Sequence, residues 1–80
     1  MLVMVAKTPL KTLREELLPK VSQEDVARKA DVTLATYRNA ESGRNVSYTT
    51  ATSILRALNA IRQERQMETV SLDDLGLHIV

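Results

Sequence analysis

Apolar residues recur along this chain at spacings of three and four, the period of helices that each bury one face. Leu10, Leu13 and Leu17 form the first such stripe, with Lys11, Arg14, Glu15 and Glu16 mostly outward. Thr8 is placed to cap this helix, Pro9 suits its first position, and Pro19 stops it. Val21 then plugs the core, and Ser22 caps a second helix whose apolar positions are Val26, Ala27 and Ala30. After the break Ala30-Asp31-Val32-Thr33, Thr33 caps a third helix over Leu34 to Glu41. That helix buries Tyr37 and Ala40, and Gly43 closes it. Arg44-Asn45-Val46 reads as a loop. Ser47 opens a longer helix with Ala51, Ile54, Leu55, Leu58 and Ile61 on one face, continuing through the helix-favouring Arg62-Gln63-Glu64-Arg65. Ser71-Leu72-Asp73-Asp74 is a capping-box pattern that opens one further turn before Gly76. The pattern predicts an all-α fold: four main helices plus a short fifth. Its expected core is Leu10, Leu13, Leu17, Val21, Val26, Ala27, Ala30, Val32, Tyr37, Ala40, Ile54, Leu55 and Leu58.

The second and third helices carry the chemistry. With so little chain between them they must cross steeply, and small Ala27 and Ala30 let the backbones approach. The third helix is then left projecting, with Leu34, Ala35, Thr36, Arg38 and Asn39 on its exposed face. Such a helix suits the major groove of double-stranded DNA, which is wide enough to admit it. Thr36 and Asn39 can hydrogen-bond base edges, Leu34 and Ala35 can meet thymine methyl groups, and Arg38 can reach guanine or phosphate. Thr33 joins this set from the cap position.

The net charge of +1 looks unfavourable for a nucleic-acid partner, but its distribution is asymmetric. All eleven Lys and Arg lie between Lys7 and Arg65, against seven acids, whereas Gln66 onward holds Glu68, Asp73 and Asp74 and no base. A basic body with an acidic tail fits a polyanionic partner. With Tyr37 and Tyr48 as the only aromatic residues, stacking modules for RNA or single strands lose ground. Zero cysteines and the single His78 leave no metal-ligand set, and no cofactor is expected. No nucleophile–base pair or phosphate loop is identifiable, so an enzyme is not expected. No apolar run is long enough for a membrane span, and Met1–Ala6 lacks a basic leader, which points to the cytoplasm. Eighty residues without an internal linker predict one domain over 1–80, with its core at 8–75 and its motif at 22–43.

These residues resemble the Cro/C1-type (xenobiotic-response-element-like) helix-turn-helix family. The resemblance rests on Leu13-Arg14, Ser22-Gln23, Val26-Ala27, Asp31-Val32-Thr33, Glu41-Ser42-Gly43, Ala57-Leu58 and Ser71-Leu72-Asp73-Asp74-Leu75 in that order. It implies a lambda-repressor-like fold over roughly Leu10 to Leu75. It also implies a phosphate contact from Gln23, backbone contacts from Arg44 and Asn45, and an Arg14–Glu41 ion pair. Tyr48, with Ser47 and Thr49, is a further backbone candidate at the next helix start. The chain departs from the family pattern in three places. Asp31 stands where the turn glycine is usual, a residue type that tolerates left-handed geometry. Leu18-Pro19 lengthens the first connection by about two residues, and about ten extra residues around Asn59–Thr69 suggest an extended fourth helix.

The expected function is therefore a sequence-specific DNA-binding regulator, a dimeric repressor acting by occupancy of its operator. The competing expectation is a protein-interaction module, an antitoxin-like subunit or adaptor with a protein partner. Strand-prone Val3, Val5, Ile79 and Val80 lie in apolar ends that are expected to pair with each other or across a homodimer interface.

Overall fold

The computed structural model describes residues 8–80, so the strand expectation for Val3 and Val5 lies outside the described residues. Four α-helices follow in order: α1 (Pro9–Glu15), α2 (Gln23–Ala30), α3 (Leu34–Glu41) and α4 (Tyr48–Glu64). A single 3-10 turn covers Asp73–Leu75. Two short strands, β1 (Asn45–Val46) and β2 (His78–Ile79), pair in parallel with Asn45 opposite His78 and Val46 opposite Ile79.

Each α-helix begins on the hydroxyl that the sequence offers. Thr8 accepts from the Lys11 N–H at 3.2 Å, Ser22 from Asp25 at 3.0 Å, Thr33 from Thr36 at 3.1 Å, and Ser47 from Thr50 at 3.1 Å. These oxygens serve amide groups that have no partner inside the first helical turn. The same logic builds the 3-10 turn, where Ser71 and Asp74 exchange side-chain-to-backbone bonds at 2.9 and 3.3 Å.

The far ends of α2, α3 and α4 share one closure, in which a left-handed residue lets two amides turn back onto the last carbonyls. At α2, Asp31 (φ 60°) donates to the Arg28 carbonyl at 3.1 Å and Val32 to Ala27 at 3.0 Å. At α3, Gly43 (φ 85°) and Arg44 bond Ala40 and Asn39 at 3.2 and 3.0 Å. At α4, Gln66 (φ 61°) and Met67 bond Gln63 and Arg62 at 3.0 and 2.8 Å. Asp31 thus does the work of the missing turn glycine.

Packing follows the predicted stripes. α2 lies against both α3 and α4, while α1 packs on α3 and on the 3-10 turn. Leu10, Leu17, Val21, Val26, Ala27, Ala30, Tyr37, Ala40, Ile54 and Leu58 are buried as expected. Leu13, Val32 and Leu55 are only partly buried and pack against the rim of that core. Val46, Ala51, Ala57, Ile61 and Leu75 complete it.

The structure departs from the expected course of the chain at the end of α1 and at Asn45–Val46, while α4 runs through its expected extension. α1 ends at Glu15, earlier than Pro19 requires: the Glu16 N–H still bonds the Thr12 carbonyl at 3.0 Å, but Leu17 reaches the core from a tightened turn in which its N–H bonds the Arg14 carbonyl at 3.1 Å. Asn45–Val46 is a strand, not a loop, because the C-terminal Ile79 returns to it and the Val80 N–H bonds the Val46 carbonyl at 3.0 Å. That pairing engages the C-terminal segment within the chain, leaving Val80 itself exposed. The extra residues after Leu58 carry α4 to Glu64 and then double back. Asn59 pins the return, donating to the Val70 carbonyl at 2.9 Å and accepting from its N–H at 2.8 Å.

The C-terminal turn meets α1 closely. A Cβ on Gly76 would lie 2.6 Å from Pro9 Cδ, and the residue's φ is 63°, so both backbone and packing ask for glycine there.

Candidate nucleic-acid interface

Glu41, on the last turn of α3, is 4% exposed and is the buried charge around which this surface is organised. A carboxylate there sits at the unfavourable end of the helix dipole and has lost its water, so it needs compensating donors. Arg14 of α1 supplies two, from Nε to Oε2 at 2.6 Å and from Nη2 to Oε1 at 3.3 Å. Tyr37 donates its hydroxyl to Oε2 at 2.6 Å, and Gln23 of α2 donates from Nε2 to Oε1 at 2.8 Å. Arg14 also holds the Val21 carbonyl at 3.0 Å, fixing the chain that leads into α2.

The protonation balance follows from these contacts. Burial by itself raises the Glu41 carboxyl, but the bonds from Arg14, Tyr37 and Gln23 together outweigh it and hold the group below the usual carboxylate range. The hydrogen bond to Glu41 raises Arg14 further, against the opposing effect of burial. Burial and then the bond to a charged acceptor push the Tyr37 hydroxyl upward, so it remains a donor. Glu41 is ionised at neutral pH and ties three helices at fixed angles.

With Tyr37, Ala40 and Glu41 buried, helical geometry points the opposite side of α3 to solvent. Ala35, Arg38 and Asn39 are exposed and centre that side, and half-buried Leu34 and Thr36 flank it. Thr33 and Thr36 are not independent donors: the Thr33 hydroxyl bonds the Thr36 hydroxyl at 2.8 Å while capping the helix. The Thr36 hydroxyl proton and the Asn39 carboxamide make no hydrogen bond among the described residues. Gln23 is half-buried, and both ends of its carboxamide are engaged, since Oε1 accepts from Arg38 Nε at 3.2 Å while Nε2 serves Glu41. The structure thus brings Gln23 together with Arg38 across the α2–α3 junction.

Arg44 and Asn45 are exposed where the α3 closure passes into β1, and exposed Tyr48 begins α4 behind the Ser47 cap. The bonds that return Arg44 and Gly43 onto α3 set the position of this loop relative to the helix. Glu24 and Asp25, the acids beside the α2 N-terminus, are both paired with Arg28, at 3.8 and 3.3 Å.

From its helical position alone, Tyr37 reads as a core ring only. Its spacing of four residues from Glu41 on one helix was the available signal for the hydroxyl's role. Nothing local announces the bond from Gln23 to Glu41, which depends on how α2 crosses α3.

A helix-turn-helix family model matches residues 10–62, from α1 to near the end of α4. No curated protein and no solved structure matches the chain. No helix among the described residues is long and apolar enough to cross a membrane. The family match takes in the two motif helices, the left-handed turn at Asp31 and the buried Arg14–Glu41 pair. The chain belongs to the Cro/C1-type helix-turn-helix family of DNA-binding transcription regulators.

Proposed function

We propose that this chain is a repressor that binds a near-palindromic operator as a homodimer and acts by occupying it. The observation that carries the reading is the α3 face of Ala35, Arg38 and Asn39, held outward by the buried Glu41 network. In this reading Asn39 hydrogen-bonds base edges, and Leu34, Ala35 and the Thr33–Thr36 hydroxyl pair line the same part of the major groove. Arg38 reads a base at the α2–α3 junction, with Gln23 beside it. Arg44, Asn45 and Tyr48 meet the sugar-phosphate backbone and set the register of α3 in the groove.

Dimerisation follows from specificity. One recognition helix reads only a few base pairs, each worth about 1–3 kcal/mol against a mismatch, whereas a two-fold pair doubles the readout. The half-sites then lie about one helical turn apart, or a multiple of it.

Selection of bound sequences from a random duplex pool by the full chain tests this. A motif with two inverted half-sites, bound with a steep salt dependence, supports the reading. A pool that shows no enriched sequence, or a single half-site bound by a monomer, overturns it.

A further inference from the structure

Gln23 stands between a buried carboxylate and an exposed guanidinium. Its Nε2 donates to Glu41 Oε1 at 2.8 Å, and its Oε1 accepts from Arg38 Nε at 3.2 Å. Glu41 can only accept, so it fixes which end of the carboxamide faces inward and leaves the oxygen toward Arg38. A lysine at this position could serve Glu41 but would repel Arg38, and a glutamate would do the reverse. The amide alone presents a donor to one neighbour and an acceptor to the other.

The consequence falls on Arg38, an exposed side chain of α3 with no ion pair among the described residues. A free arginine of this length samples many rotamers, and holding it still costs entropy at the moment of binding. With Nε engaged by Gln23, the Nη1 and Nη2 groups have no hydrogen bond among the described residues and form the remaining fork. A fork of two parallel donors matches the O6 and N7 acceptors that guanine presents in the major groove.

We infer that Gln23 is a positioning residue for Arg38, using the anchored carboxamide to aim the guanidinium end-on at one guanine of the operator. The inference rests on the proposed DNA reading and deepens it. It assigns Gln23 to base preference through Arg38, where the family resemblance assigns it to phosphate.

Two measurements on the full chain separate the failure of this inference from the failure of the DNA reading. The first needs no DNA: the Arg38 Nε–H is followed by NMR exchange in the free protein. Slow exchange in the wild type, accelerated in Gln23→Ala and Gln23→Lys, is expected; fast exchange in the wild type overturns the positioning role. The second is selection from random duplexes by wild type, Arg38→Ala, Gln23→Ala and Gln23→Lys. Arg38→Ala is expected to erase the preference for guanine at one position in each half-site, a loss of about 5- to 150-fold. Gln23→Ala should reduce preference at that same position by about 3- to 10-fold, the scale of one hydrogen bond. It should change nothing further in the Arg38→Ala background. Gln23→Lys keeps a donor for Glu41 and adds a positive charge, yet should still lose the guanine preference. If Gln23→Ala instead weakens all duplexes equally, or Gln23→Lys binds more tightly with its preference intact, Gln23 is a phosphate contact and the inference is wrong. A wild type with no preferred sequence would sink the DNA reading, and with it the assignment to guanine.

Discussion

Replacing Arg14 by methionine removes the strongest partner of a carboxylate that is 3% exposed, while keeping the aliphatic stem that packs beside it. Unpairing a fully buried charge costs about 3–5 kcal/mol. Here Glu41 keeps the hydroxyl of Tyr37 and the amide of Gln23, so the expected loss is toward the lower end, about 3 kcal/mol. Glu41→Leu leaves Arg14 with the Val21 carbonyl and a side chain still 13% exposed to water, which limits that loss to about 2–3 kcal/mol. In the double variant neither charge is stranded, so its loss should fall short of the sum by about 1–3 kcal/mol. Urea melts of the wild type, both single variants and the double variant at neutral pH give this coupling directly. Strict additivity would show that the two groups do not interact, and the account of how α3 is oriented would be wrong.

The same carboxylate sets a pH dependence. Its pKa is depressed in the folded chain, so its contribution to stability is complete above the unfolded value of about 4.3. That contribution is lost as pH falls from there through the lower folded value. Glu41→Gln should therefore flatten the stability profile below about pH 4.3. An unchanged slope would mean that Glu41 is not held below the ordinary range.

Gly76→Ala should destabilise the chain by about 2–4 kcal/mol, combining a left-handed φ with a Cβ driven into the Pro9 ring; a thermal melt within experimental error of wild type would contradict the packing of the C-terminal turn on α1. Asn59→Ala removes both bonds to Val70 and should raise amide exchange at Val70 while α2 and α3 stay protected; equal exchange in the two proteins would dissociate Asn59 from the return segment. Arg44→Ala should weaken binding to selected and scrambled duplexes alike and reduce the salt slope by about one unit; a loss confined to the selected duplex would make Arg44 a base contact.

The parts of this fold that could be read from sequence are those fixed by neighbours three or four residues away. Thr8, Ser22, Thr33 and Ser47 cap helices because a short hydroxyl reaches the third amide ahead, a relation independent of the rest of the chain. The buried stripes of α2 and α4 follow in the same way from helical period. What escaped were long-range consequences. Val46 and Leu75 are buried because the C-terminal segment returns to β1 and α1, which no local pattern announces. The reversal after α4 was illegible because Gln66 adopts the left-handed conformation without the glycine that usually marks it. At the interface, Ala35, Arg38 and Asn39 were legible from periodicity as the exposed face of α3, whereas Leu34 and Thr36, expected on the same face, are half-buried at its edges. The coupling of Gln23, Arg38 and Glu41 was not legible, since it exists only once α2 and α3 cross.

Binding titrations of wild type, Arg38→Ala and Asn39→Ala against the selected operator and a scrambled duplex, at one fixed salt concentration, decide whether α3 is the recognition helix. If the exposed face of α3 reads bases, each variant loses about 1–3 kcal/mol on the operator and little on the scrambled duplex, so the specificity ratio falls. A ratio unchanged in both variants would contradict the assignment of α3 as the recognition helix.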